Sequence, residues 1–190
     1  MSQSLKLNLG CGQNSIPGYV NVDKFGQPDV LCDLEVFPWP WEDSSVDEII
    51  LNHVLEHLGE TKDVFLGIMK ELYRVCKPNA SIKIAVPHPR HDYFINDPTH
   101  VRAVTPDVLG LFSQKNNLEW AKLGGANSPL GLYINVDFEI VQTNYVLDEP
   151  WLSQFNAGEI SNTELWQSIR QFNNVVSQIE IELRVVKDLN

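Results

Sequence analysis

The chain has 190 residues, 43% of them hydrophobic, with 14 Lys and Arg against 25 Asp and Glu for a net charge of −11. Its length suits one domain over 1–190 with a single core, and the acidic balance without any Lys/Arg cluster argues against a nucleic-acid partner. No apolar run approaches the roughly 20 residues of a membrane span, residues 1–5 are too short and polar for a signal peptide, and 3 irregularly spaced cysteines predict a reducing cytoplasm rather than a disulfide framework.

Strand and helix signals alternate from the start, which predicts an α/β domain with a mostly parallel sheet. Leu5, Leu7 and Leu9 alternate with polar residues in a first strand at 5–9, which ends in the turn Gly10-Cys11-Gly12. A second strand at 19–22 closes on Asp23 and a third at 30–32 closes on Asp33. Glycines let backbone N–H groups approach a ligand, and an acid at the next strand end accepts hydrogen bonds from ribose hydroxyls; together these are the makings of a nucleoside site. Cys11 fits that turn as a small residue or as a reactive thiol.

Asp43-Ser44-Ser45 primes a fourth strand at 48–51, followed by Asn52-His53-Val54-Leu55-Glu56-His57-Leu58. Thr61 can cap a helix whose apolar face is Val64, Phe65, Ile68, Met69, Leu72, Val75 and Cys76, stopped by Lys77-Pro78-Asn79. A fifth strand at 81–86 ends at Pro87, and 87–105 reads as a long polar loop, a feature that is usually functional. Thr105-Pro106-Asp107 opens another helix. Alternating stretches at 134–146 and 178–186 predict two last strands, with a helix at 161–172 between them burying Leu165, Trp166, Ile169 and Phe172. That helix packs on the sheet or covers a substrate mouth.

The ordered set of Gly10-Cys11-Gly12, Asp23, Asp33 and the segment 52–58 resembles the class I methyltransferases that use S-adenosylmethionine, over roughly 5–90. The resemblance implies a Rossmann-like, seven-stranded, three-layer α/β/α sheet with an antiparallel C-terminal strand. It also implies that Gly10, Cys11 and Gly12 face the amino-acid part of the cofactor, that Asp23 binds the ribose, and that Asp33 and Leu34 meet the adenine. Asn8, where the family more often has a carboxylate, Asn52 and His53 complete the cofactor set, His53 beside the methyl group. The interval from Gly10 to Asp23 is shorter than the roughly 20 residues of a dinucleotide fingerprint, and Pro17 and Gly18 leave no room for a full crossover helix. A nicotinamide or flavin needs a helix N-terminus for its pyrophosphate; S-adenosylmethionine does not.

All 5 histidines fall between positions 53 and 100. His53 and His57 share a face if their segment is helical. His57 reads as part of a structural segment, whereas His88, His91 and His100, with Asp97, read as a catalytic set in which His supplies a base. A divalent metal held by His and Asp is the competing reading. No tight spacing such as His-Glu-x-x-His supports it, so no metal ligand is assigned. The expectation is a cytoplasmic methyltransferase acting on a small polar acceptor such as a sugar or other hydroxyl compound, its oligomeric state open. The alternatives are a non-catalytic module binding S-adenosylmethionine or its demethylated product, and a metal-assisted enzyme on the same fold.

Overall fold

The computed structural model describes residues 4–187; most of the 1–5 segment read against a signal peptide lies outside them. Seven strands form one sheet: β1 (Lys6–Leu9), β2 (Val20–Asp23), β3 (Val30–Leu31), β4 (Val46–Asn52), β5 (Cys76–Pro87), β6 (Phe138–Leu147) and β7 (Val176–Val185). Their spatial order is β3-β2-β1-β4-β5-β7-β6. The first five run parallel, and β7 is antiparallel to both its neighbours, β5 and β6, as expected.

Every predicted strand is present, and the larger differences are two strand starts and one helix. β5 starts at Cys76, already paired with Val46, because helix α1 (Lys62–Val75) stops two positions before Lys77 of Lys77-Pro78-Asn79. β6 starts at Phe138, because Leu130–Ile134 forms helix α5 and Asn135 leaves it in the left-handed region at φ 54°. The polar segment 87–105 is broken by a one-turn helix, α2 (Asp92–Ile95). Thr61 and Thr105 cap α1 and α3 (Pro106–Gly110) as their sequence predicts. Helices α4 (Gln114–Lys122), α6 (Trp151–Asn156) and α7 (Asn162–Gln171) complete the set. Of the four apolar residues expected to be buried by α7, only Leu165 is; Trp166 and Phe172 are half exposed.

Register separates the two sheet faces. Leu7, Val22, Ile49, Leu51, Ile82, Ile84, Ile181 and Leu183 share the apolar face and are buried together with Phe65, Ile68, Met69 and Leu72 of α1 and with Leu109 of α3. The opposite face carries Lys6, Asn8, Glu48, Asn52, Lys83, Glu180, Glu182 and Arg184, with Glu48 ion-paired across strands to Lys6 and Lys83. Helices flank the sheet as expected, but the layer on this polar face is thin, and segment 10–19 covers Asn8 there. Right-handed crossovers that move in opposite directions from the centre of such a sheet lie on opposite faces. The polar face falls to the links after β1 and β2, residues 10–19 and 24–29, and neither holds a helix. With one face packed and one wet, the strands show the clean alternation that makes them legible.

On the polar face Glu48 accepts from Lys83 at 2.6 Å, Lys6 at 2.9 Å and the Tyr19 hydroxyl at 2.8 Å. Burial alone would raise its carboxyl pKa, but the three donors outweigh burial and hold it at about 2.

Candidate active site

The carboxyl ends of β1, β2 and β4 meet around Gly10. At φ +67° Gly10 takes a conformation that costs other residues energy, and a Cβ there would lie 2.5 Å from a methyl of Val54. Two cavities share this glycine. The smaller, about 180 Å³, is lined by Asp23, Lys24, Asp33, Leu34, His53 and His57, among others. The larger, about 730 Å³, lies along the polar sheet face, where Asn52, Lys83, Gln142, Asn144, Gln178 and Glu180 line it.

The sequence-predicted cofactor residues divide between them. Asp23 accepts from Gly12 N at 2.8 Å and Phe25 N at 2.9 Å, one bond to each oxygen, so both oxygens keep lone pairs for a ligand. Asp33 accepts from Glu35 N through one oxygen, which makes it a turn cap as well as a cavity residue. Leu34 is buried, its carbonyl taken by the Trp39 indole. Asn8, Cys11 and Asn52 line the larger cavity. Burial, reinforced by Asp23, pushes the Cys11 thiol above its ordinary pKa, the reverse of what a reactive thiol needs. Two carboxylates with unspent acceptor positions and a glycine cradle fit an adenosine-type ligand.

The histidines sort by which ring nitrogen is free. His53 is in the left-handed region at φ +55°, so it does not share a helix face with His57; only Leu55–His57 forms a single 3-10 turn. Its Nε2 meets Gln178 at 2.8 Å and its Nδ1 lies 3.4 Å from Glu56, whose carboxylate raises the His53 pKa. His91 is 3% exposed; its Nδ1 accepts from Tyr93 N to cap α2 and its Nε2 donates to Asp148. Neither nitrogen is left for proton transfer, which corrects the reading of His91 as a base. The Nδ1 of His88 accepts from Arg90 N, leaving the proton on Nε2, and burial with Arg90 nearby lowers its pKa.

His100 and His57 differ from these. His100 Nδ1 faces the carbonyl of Phe94 at 2.9 Å and so must donate, which frees Nε2. His57 Nδ1 lies 2.9 Å from Thr99 Oγ1, whose own proton goes to Asp97 at 2.6 Å; the ring must therefore donate, and its Nε2 is also free. The two rings sit 4.5 Å apart. Asp97 thus acts through Thr99, and it lies 3.8 Å from His100. Sequence reading took His57 as structural and passed over Glu56 and Thr99. The pairing of residues 56–57 with 99–100 is made by tertiary contact, since Val101 N and Arg102 N both donate to the Glu56 carbonyl.

Residues 19–84 match the family model for a methyltransferase domain. Over the whole chain, the fold is that of the SAM-dependent methyltransferases. Among solved structures it is similar to a SAM-dependent methyltransferase from Archaeoglobus fulgidus, at 18% identity and TM-score 0.61 over 95% of this chain and 86% of that one. It is similar also to one from Methanosarcina mazei, at 14% identity and TM-score 0.56 over 99% and 95%. A third likeness is the Burkholderia thailandensis 1,6-didemethyltoxoflavin-N1-methyltransferase with bound S-adenosylhomocysteine, at 11% identity and TM-score 0.53 over 97% and 72%. No curated protein matches the sequence. No helix among the described residues is long and apolar enough to cross a membrane.

Proposed function

We propose that this protein transfers the methyl group of S-adenosylmethionine to a hydroxyl of a small polar, sugar-like acceptor. One observation carries the reading: in the cavity of about 730 Å³ that shares Gly10 with the carboxylate-lined one, the amides of Asn52, Gln142, Asn144 and Gln178, the carboxylates of Glu180 and Glu182 and the ammonium of Lys83 stand beside Ile16, Ile50 and Ile181. Such a wall offers hydrogen bonds to several hydroxyls of an acceptor whose ring or chain rests on the aliphatic side chains. The net charge of −11 disfavours nucleic acid.

In this reading Asp23 holds the ribose hydroxyls, Asp33 the adenine amino group with Leu34 against the ring, and the 10–12 turn the amino-acid end. Asn52 and His53 flank the methyl group. The bound cofactor supplies an electrophilic methyl on a sulfonium. The chain's share is to align the acceptor oxygen with that methyl, exclude water and take the hydroxyl proton. A free imidazole Nε2 is available at His57, which lines the cavity of Asp23 and Asp33, and at His100 beside it, with Asp97 and Thr99 fixing the ring of His57.

The test is methyl transfer from labelled cofactor to a panel of sugars, polyols, amines and short RNAs. Product on hydroxyl acceptors is expected, with turnover falling on the order of 10²-fold in His100→Ala at nearly unchanged cofactor affinity. Transfer to amines or RNA alone would refute it.

A further inference from the structure

We propose that Glu56, His57 and His100 form a binding site for a divalent transition-metal ion of the zinc type. One donor atom from each lies within 4.8 Å of the other two. Ligands held at about 2.1 Å from zinc sit roughly 3.4 Å apart, so small side-chain rotations close the set.

Three independent features point to a cation. Glu56 is 1% exposed, and neither of its carboxylate oxygens has a hydrogen-bond partner among the described residues. A buried charge without partners is costly unless it neutralises, pairs or binds a metal; His53 at 3.4 Å is its one ion-pair contact. Both imidazoles are also already prepared as ligands. His57 donates through Nδ1 to Thr99, itself hydrogen-bonded to Asp97, and His100 donates through Nδ1 to Phe94 O. Metal-bound histidines are typically oriented by such an outer shell, with the opposite nitrogen left for the ion. Finally, the two halves are held in register by backbone, since Val101 N donates to the Glu56 carbonyl at 2.9 Å.

Two imidazoles and one carboxylate suit zinc or a late first-row divalent ion better than magnesium or calcium, which prefer all-oxygen shells. Three protein ligands leave a coordination position open, as in catalytic zinc sites. Because His57 also lines the cavity of Asp23 and Asp33, the open position lies at the edge of the site.

Tag-free protein stripped with chelator is titrated with Zn²⁺ alone by calorimetry, and with Co²⁺ by visible absorption. One equivalent of Zn²⁺ is expected, with His57→Ala and His100→Ala each weakening it at least 100-fold and His88→Ala leaving it unchanged. Thr99→Val, a milder change that guards against misfolding of the others, is expected to weaken it about 10-fold. Failure to bind one equivalent, or equal binding by the folded His57→Ala/His100→Ala double variant, overturns the proposal. No cofactor or acceptor is present, so a failed titration leaves the methyl-transfer reading intact, and failed turnover leaves the metal site intact.

Discussion

The side-chain amide of Asn8 on β1 donates to Oδ1 of Asn21 on β2 at 2.9 Å, and the same nitrogen donates to the carbonyl of Asn14 at 2.9 Å. Asn21 in turn accepts from Ile16 N at 2.7 Å. The short link between β1 and β2 is thus tied to its own strands by buried amides rather than by a helix.

Asn8→Ala is expected to lower stability by about 1–3 kcal/mol, because it removes two donors and leaves buried acceptors unmet. Thermal melts check this, and Asn8→Asp should do no better, since a carboxylate cannot donate to either partner.

At Gly10, an added methyl meets both the left-handed backbone and Val54. The backbone alone costs roughly 1–2 kcal/mol. Since Val54 lines the cavity of Asp23 and Asp33, Gly10→Ala is expected to weaken S-adenosylmethionine measurably by calorimetry. Wild-type affinity in a folded variant would remove Gly10 from the site.

Asp23→Ala removes the acceptor proposed for the ribose and is expected to weaken the cofactor by about 1–3 kcal/mol. Binding of S-adenosylhomocysteine by the same variant gives an independent reading, because the two ligands share the ribose.

Glu48 links folding to acid. Its folded pKa of about 2 lies below the ordinary 4.5, so the stabilisation is complete above the unfolded value and is lost as pH falls from 4.5 through 2. Wild-type melting temperature should therefore drop more steeply across that window than that of Glu48→Gln. Parallel slopes would mean the three donors are too well solvated to matter.

His91→Ala is expected to destabilise the protein by on the order of 2 kcal/mol, through the lost bond to Asp148 and the lost cap of α2. Turnover per folded molecule should hold, and a collapse of turnover with unchanged stability would restore His91 as a base.

Strand placement was legible because one sheet face is wet: Leu7, Leu9, Ile82, Ile84, Ile179 and Ile181 alternate with polar partners without interruption. The thinness of the polar-side layer was half legible. Pro17 and Gly18 ruled out a helix after β1, but the resemblance to a three-layer family implied one elsewhere on that face. At the site, Gly10, Asp23 and Asp33 could be found from strand ends alone. The histidines could not be sorted, because a ring's free nitrogen depends on partners far along the chain. His57 is decided by Thr99, and His91 by Asp148.

The thinly covered sheet face has a consequence for how this sequence can change. Glu48 pairs with Lys6 and Lys83 on this face, and Glu180 and Arg184 are exposed on it, whereas Leu7, Ile49, Ile82, Ile84, Ile181, Leu183 and Val185, which point the other way, are locked in the core. Tolerance to substitution should therefore rise and fall with a period of two along β5 and β7. In a sheet covered on both sides, every position would be constrained.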